Sequence, residues 1–173
     1  MLRSELMQVH GDAFLFRGGF AILLLAGSLY PQANDRTANG FTPDQVEERI
    51  KQLEKQCVSS VRALNVAQIT FWGGDDQKGF ARKLSQLGPR GDSLINQALA
   101  TGLRDGYRFR LIIPPDLANE TLLRHYAIVA QPSKRLSERQ RSYYTDETGV
   151  IRFTELDHEP TRSDPPFEPP QDR

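Results

Sequence analysis

The side chains best suited to bind a metal or to act as a nucleophile are few and widely spaced in this chain. The histidines are His10, His125 and His158, and Cys57 is the single cysteine. A structural zinc site takes four Cys or His ligands, usually from closely spaced pairs, and the sequence contains no such pair. It also lacks a glycine-rich phosphate loop, a serine nucleophile elbow and the histidine pair of zinc proteases. We therefore expect no catalytic centre, no metal and no cofactor.

Cys57 and two carboxylate pairs have structural interpretations that we prefer. A cysteine nucleophile needs an accessible thiolate, whereas Cys57 falls in the apolar stripe of a predicted helix and is interpreted as a core residue. Asp75-Asp76 and Asp146-Glu147 are candidate cation ligands, but neither lies in the alternating acidic pattern with a central glycine that calcium loops use. Both pairs occur where turns are predicted, so a role in the turn is the preferred interpretation.

Charge is balanced overall but unevenly distributed. The chain has 22 basic and 22 acidic residues, so it has no net attraction to nucleic acid, and we expect no nucleic-acid partner. Residues 78–141 have a net charge of +7, and residues 142–173 have a net charge of −5. The two regions either attract each other or leave a basic face for an anionic ligand. The candidate residues of that face are Arg104, Arg108, Arg110 and Arg124.

An apolar run near the N-terminus predicts export. It includes residues 20–27, follows two arginines and extends for about 11 residues. This suits the apolar region of a signal peptide and is short for a membrane span of about 20 residues. Ala26 and Ser28 occupy the −3 and −1 positions of a cleavage site after Ser28. We predict a signal peptide at 1–28; a retained anchor and a buried helix of a cytosolic fold are the alternatives. The predicted location is extracytoplasmic, with membrane contact only through this segment.

A long amphipathic helix should follow a polar linker at 29–42. Thr42 suits the N-cap, Pro43 the first helical position, and Gln45 completes a capping box. The pattern predicts about 25–30 helical residues that end before Gly73. Apolar residues recur at spacings of three and four: Val46, Ile50, Leu53, Cys57, Val61 and Leu64.

Two short helices and four strands are predicted after the long helix. The first helix lies within 80–87, and Asp92 is the predicted cap of the second. From Tyr107 onwards, the apolar period changes to two, which is typical of half-buried strands. The predicted strands are 107–113, 126–130, 142–145 and 150–154. A turn at 146–149, with Gly149 at positive φ, should join the last two.

The predicted fold class is α+β: a long N-terminal helix packed on a small antiparallel β-meander. The domain should include residues 43–154. Residues 155–173 are acidic and rich in proline, so we predict a disordered tail. Five aromatic residues of the strand region could form a stacking surface for single strands, but a core position is the preferred interpretation. They are Tyr107, Phe109, Tyr126, Tyr143 and Tyr144.

Several stretches together resemble bacterial type IV pilin-like proteins and the related pseudopilins. The stretches are Ser59–Gln68 on the long helix, Gly106–Phe109, Tyr126–Pro132 and Arg141–Phe153. The resemblance covers residues 59–154. It implies a pilin-like α+β head and an extracytoplasmic, non-enzymatic role.

The N-terminus departs from the prepilin pattern of that group. Gly19-Phe20 matches the prepilin cleavage site, but Leu24 stands where the family has glutamate. The apolar stretch is about half the length that a filament core needs, and Pro31 follows it. The resemblance therefore implies the head without implying assembly into a filament.

Three functions remain open at this point. The first is an exported structural or protein-interaction protein of the cell envelope, with other envelope or secretion-system proteins as partners. The second is an extracytoplasmic binding module that uses the basic segment 78–141 for an anionic ligand. The third is a hydrolase with scattered catalytic residues. Clustered arginines on an open sheet face would favour the second function, and a pocket with a buried carboxylate or histidine would favour the third.

Overall fold

The computed structural model describes residues 40–73 and 79–168. Several predictions lie outside these residues. They concern the signal peptide with Ala26 and Ser28, most of the linker, the pair Asp75-Asp76, and residues 169–173.

Helix α1, Pro43–Gly73, begins at the predicted capping box. The main-chain N–H of Thr42 donates to Gln45 Oε1 at 2.9 Å, and the N–H of Gln45 donates to Thr42 Oγ1 at 3.3 Å. These bonds satisfy donors that a helix start otherwise leaves unpaired. The 31 residues extend for about 46 Å at 1.5 Å each. Along residues 40–73 and 79–168, no helix combines the length and apolarity needed to cross a bilayer.

Two short helices connect α1 to the sheet. They are α2, Leu84–Leu87, and α3, Gln97–Ala100. The predicted cap of the second was wrong, because Asn96 caps α3: its Oδ1 accepts from the N–H of Leu99 at 3.0 Å. Asp92 lies in a tight loop before the helix, where its own N–H donates to the carbonyl of Gln86 at 2.9 Å. The N–H groups of the next three residues, 93–95, donate to the carbonyls of Gly88 and Leu87, so the chain stays in a loop up to Asn96.

Five antiparallel strands form one sheet, and their order in the sheet is their order in the sequence. This is the predicted meander with one more strand than expected, because Leu103–Arg104 was not predicted to be a strand. The strands are β1 Leu103–Arg104, β2 Tyr107–Ile112, β3 Ala127–Pro132, β4 Ser142–Asp146 and β5 Arg152–Thr154. A 3₁₀ turn at Pro115–Leu117 lies between β2 and β3. One long helix with a five-stranded antiparallel sheet confirms the α+β class.

The turn between β4 and β5 is as predicted. Gly149 has φ +75°, in the left-handed region that side chains with a β-carbon resist. Its N–H donates to the carbonyl of Asp146 at 3.0 Å. The tight turn leaves Tyr143 opposite Phe153 and Tyr144 opposite Arg152, so one side of the hairpin is aromatic and the other is partly charged.

The inner sheet face, the one that packs on α1, carries the aromatic residues. Tyr107, Phe109 and Tyr143 are buried there with Val61 and Leu64 of the helix. Tyr126 is also buried, while Tyr144 is half-buried on the opposite face. The core interpretation is confirmed for the first four aromatic residues. Their burial removes them from any exposed stacking surface.

Cys57 belongs to the same core. Only 1% of its surface is exposed, and burial raises the pKa of its thiol well above the ordinary value. This burial confirms the prediction of a core cysteine. A thiol without solvent contact and with a raised pKa also supplies little thiolate for a nucleophilic reaction.

Buried polar side chains fix how α1 lies on the sheet. Asn65 donates to Thr145 Oγ1 at 2.8 Å and accepts from the hydroxyl of Tyr126 at 3.1 Å. Gln68 accepts from the N–H of Ala81 at 2.8 Å and donates to its carbonyl at 3.1 Å. A sliding movement of the helix would leave these groups unpaired in the core, which costs roughly 1–3 kcal/mol each. The network therefore specifies a single register.

Candidate functional site

The outer sheet face, opposite α1, carries the basic side chains of β2. Because side chains alternate along a strand, the buried Tyr107 and Phe109 place Arg108 and Arg110 on the outer side. The register puts Arg108 beside Gln131 and Arg110 beside Val129. Val129 is nevertheless almost fully buried, so something other than α1 covers this face.

The cover is the C-terminal segment, residues 155–168. From β5 it crosses the outer face as far as Arg110 of β2, which pairs with Glu159. It then returns to β4, where Arg162 Nε lies 3.1 Å from Asp146 Oδ2. Through residue 168 this segment differs from the predicted disordered tail. The prediction relied on the absence of a periodic apolar face, whereas the segment is held mainly by ion pairs and hydrogen bonds to carbonyl groups.

Three carboxylates at alternate positions of the segment contact three arginines. Glu155 Oε1 lies 3.1 Å from Arg141 Nε, and Asp157 Oδ1 lies 3.8 Å from Arg135 Nε. Glu159 forms the third ion pair, with Arg110. The mutual attraction of the basic middle and the acidic end, one of the two interpretations of the charge pattern, is therefore confirmed.

Arg135 is the main anchor of the segment. Its Nη2 donates to the carbonyl of Leu156 at 3.0 Å, and its Nη1 donates to the carbonyls of Gln140 at 2.9 Å and Glu155 at 3.3 Å. A planar guanidinium presents several donors in a fixed fork, so one side chain can join the 133–141 loop to the segment. Sequence reasoning missed Arg135, because nothing in the pattern separates it from other loop arginines.

Arg141 joins α1 to the same segment. The main-chain N–H of Arg141 donates to Glu54 Oε1 at 2.8 Å, and its side-chain Nη1 lies 3.6 Å from Glu54 Oε2. Its guanidinium also lies 4.7 Å from the ring centroid of Phe153. Burial raises the pKa of the Glu54 carboxyl, although the N–H and charge of Arg141 oppose the rise. Arg141 thus sits between carboxylates of the helix and of the C-terminal segment.

The end of the segment covers the edge of β5. The N–H of Phe167 donates to the carbonyl of Ile151 at 2.7 Å, and the N–H of Phe153 donates to the carbonyl of Pro165 at 3.1 Å. The Phe167 ring packs edge-on against Tyr143, with centroids 5.7 Å apart. A free strand edge is a template for pairing with other chains, so these contacts protect the sheet.

The structure brings together two of the four predicted arginines. Arg108 and Arg110 are neighbours on the outer face. Arg104 is opposite Tyr107 in the register, on the inner side, and its Nε lies 3.0 Å from Asp105 Oδ2. Arg124 is exposed in the loop before β3. The basic cluster of the outer face therefore consists of Arg108 and Arg110 together with Lys134 and Arg135, which the sequence did not single out.

A recess of about 360 Å³ opens beside this cluster. It lies between the outer side of β2 and β3, the loop that follows β3, and the start of the C-terminal segment. In the part of the chain that the structure describes, basic and hydroxyl side chains predominate in its wall, and Asp157 is its one carboxylate. Its lining residues are Arg108, Gln131, Pro132, Ser133, Lys134, Arg135, Ser142 and Asp157.

A second recess, of about 240 Å³, contains a histidine and a buried carboxylate. His125 Nδ1 lies 3.0 Å from Glu147 Oε1. The buried Asp146 accepts from the N–H of Thr148 at 3.0 Å and pairs with Arg162. These contacts close the β4–β5 turn and fasten the C-terminal segment, so the Asp146 carboxylate is already used by the fold. Across the described segments, no group of three or more His, Cys, Asp or Glu side chains is placed to hold a metal ion.

No protein-family model, no curated protein and no solved structure matches the chain. The function is therefore argued from the geometry and charge of the two sheet faces.

Proposed function

We propose that this chain is an exported, pilin-like protein of the cell envelope that works by contacting other proteins and not by catalysis. The observation that carries the proposal is the packing of one 31-residue helix along one face of a five-stranded antiparallel meander. The stretches on which the pilin-like resemblance rests fall on α1 and on strands β2 to β5 of this arrangement. The apolar run at residues 20–27 supports export.

The use of charged side chains supports a role in binding over one in catalysis. Glu54, Asp146 and Arg135 lie in or beside recesses where reactive groups would be sought. Each makes hydrogen bonds that hold a loop, a turn or the C-terminal segment in place. Such contacts stabilise the fold and leave these groups engaged rather than aimed at a substrate.

The outward side of α1 supports protein contact. Val66 and Ile69 lie one turn apart on the helix and are 63% and 60% exposed. Residues three apart on a helix are surface neighbours. They give a small apolar contact area on the side of the helix that faces away from the sheet.

The processing of the N-terminus tests the export proposal. We expect the mature chain to begin near Leu29, with Ala26 and Ser28 left on the removed peptide. N-terminal sequencing of the chain from fractionated cells measures this, and Ala26→Arg should block cleavage and leave the full-length form in the membrane fraction. A start at Phe20 would instead show prepilin-type processing. An intact Met1 in the cytosol would refute export.

A second candidate function, the binding of an anionic ligand, is favoured by one observation. Arg108 and Lys134 line the recess of the outer face, and within residues 40–73 and 79–168 the side chain of neither makes an ion pair or a hydrogen bond. Two cations beside a recess leave positive charge for an outside partner.

A further inference from the structure

The intramolecular contacts of the C-terminal segment show what the outer face can bind. The segment presents Glu155, Asp157 and Glu159 to arginines, and its carbonyls at 155 and 156 accept from Arg135. These arginines thus bind both carboxylates and main-chain carbonyls of the chain's own acidic segment. A guanidinium fork suits this combination of planar acceptors.

Asp157 makes the loosest of the three carboxylate contacts. Its Oδ1 lies 3.8 Å from Arg135 Nε, and its side chain is fully exposed. Such a pair contributes little to stability, because solvent screens it. Arg135 does not depend on Asp157 for its position, since four main-chain carbonyls also hold its guanidinium.

The recess next to Asp157 contains more positive than negative charge. Arg108, Lys134 and Arg135 line it, and among the residues that the structure describes Asp157 is the only acidic one in its wall. A carboxylate entering the recess would meet three cations, whereas Asp157 meets one of them within 4 Å. The balance of charge therefore favours exchange of Asp157 for an outside carboxylate.

We propose that this recess binds a carboxylate of an acidic peptide from a partner protein, and that Asp157 is the internal carboxylate which that peptide displaces. The inference rests on the proposed role in partner binding and names the chemistry of the partner. It does not depend on export. The C-terminal segment remains anchored through Glu159 and Phe167 while Asp157 moves aside.

The test uses a synthetic peptide, acetyl-(Glu-Gly)₃-amide, whose carboxylates alternate as those of the segment do. Calorimetric titration of the full chain at low salt gives its affinity. Asp157→Asn should raise the affinity about two- to five-fold, since an exposed competing pair is weak. The double variant Arg108→Gln/Lys134→Gln should lower it at least ten-fold. The same peptide with glutamine in place of glutamate should not bind.

A matched double variant separates a defined site from general attraction. Arg90→Gln/Arg124→Gln removes the same charge from exposed positions outside the recess and should change the affinity by less than two-fold. An equal loss in both double variants would overturn the proposal, as would unchanged or weaker binding by Asp157→Asn. If a polyuronate binds and the peptide does not, the recess binds a different ligand and the proposal of a peptide ligand is refuted.

The melting temperature of each variant accompanies its titration. A variant that binds the peptide more weakly but melts near the wild-type temperature has lost the binding site and not the fold. If the peptide binds but the N-terminus is not processed as expected, only the proposal of an envelope protein is refuted. If the N-terminus is processed as expected but the peptide does not bind, only the present inference is refuted.

Discussion

The two faces of the sheet are held by different kinds of interaction. The inner face packs against α1 through side chains with almost no exposed surface, such as Leu64, Tyr107 and Tyr143. The outer face is covered by the C-terminal segment, which makes ion pairs to Arg110, Arg135 and Arg141. Salt screens exposed ion pairs, whereas apolar contacts contain no charges that salt could screen. The apolar contacts of the inner face therefore stabilise the fold, and the ion pairs of the outer face are the contacts that an outside ligand can replace.

This separation explains how a small domain can combine a fixed framework with a changeable surface. An antiparallel sheet needs cover on only one face to form a core. A second cover made of exposed charges adds little stability per contact. Its position on the outer face can therefore serve partner binding without weakening the core.

Leu64→Ala should give the largest loss of stability, because the side chain is fully buried between α1 and the sheet. Removal of such a leucine leaves a cavity and costs about 2–5 kcal/mol. Urea denaturation measures the change. Ile69→Ala on the exposed side of the same helix is the control, with an expected change below about 0.5 kcal/mol. Similar losses in the two variants would refute the inner face as the stabilising one.

Phe167→Ala should cost less, about 1–3 kcal/mol, because its ring is only partly buried against Tyr143 and Phe153. Cleavage of the C-terminal segment in limited proteolysis should accelerate, since the edge pairing with Ile151 depends on this anchor. Phe167→Leu retains apolar area and should lose about half as much. A fall in stability without faster cleavage would mean that the ring serves the core and not the cover.

Arg135→Gln should destabilise by about 1–2 kcal/mol, because it removes charged donors from carbonyls of the loop and the segment. Arg135→Lys restores the charge but not the fork, so it should recover less than half of the loss. Chemical denaturation of the two variants gives the comparison. Full recovery by lysine would show that charge alone holds the cover.

Glu54 provides the smallest effect and a test of burial at the junction of the two faces. Burial is the main cause that raises the pKa of the Glu54 carboxyl in the folded state. At pH values between the unfolded and the folded pKa, this carboxyl is therefore protonated to a greater extent in the folded state than in the unfolded state. Stability must then fall as pH rises through the window above about 4.5. Glu54→Gln lacks this group and should lack the fall.

Urea denaturation at several pH values between about 4 and about 7 measures the Glu54 effect. The stability of the wild type minus that of Glu54→Gln should decrease as pH rises. Glu47→Gln, at an exposed position earlier on α1, is the control and should show no such decrease. A difference that grows with pH would mean that the pairing with Arg141 outweighs the burial of Glu54.

The sequence predicted the inner face well because its interactions are periodic. The stripe from Leu53 to Leu64 and the alternation after Tyr107 specify which sides are apolar, and the capping box and Gly149 mark a helix start and a turn. These signals depend on neighbours within a few residues of each other. The α+β class and the order of the strands follow from them.

The outer face could not be predicted in the same way, because its contacts join distant residues with no period. Arg110 and Glu159 are 49 residues apart, and Arg135 resembles the other basic residues of its loop until the fold is known. The charge imbalance left two interpretations, mutual attraction of the two regions or a free basic face, and it did not indicate which arginine meets which carboxylate. A segment held by such contacts has the composition of a disordered tail.

Amide hydrogen exchange at low and high salt tests the central claim most directly, namely that charge holds the outer cover and apolar burial holds the inner face. The N–H of Leu156, bonded to Thr154 Oγ1, and the N–H of Thr161, bonded to Asp164 Oδ2, report on the ion-paired part of the cover, and the N–H of Phe109, bonded to Gly102, reports on the core. From about 0.05 M to about 1 M salt, loss of roughly 1 kcal/mol of ion pairing should accelerate exchange at Leu156 and Thr161 about five-fold and leave Phe109 unchanged. Equal acceleration at all three amides, or none at any, would contradict the account.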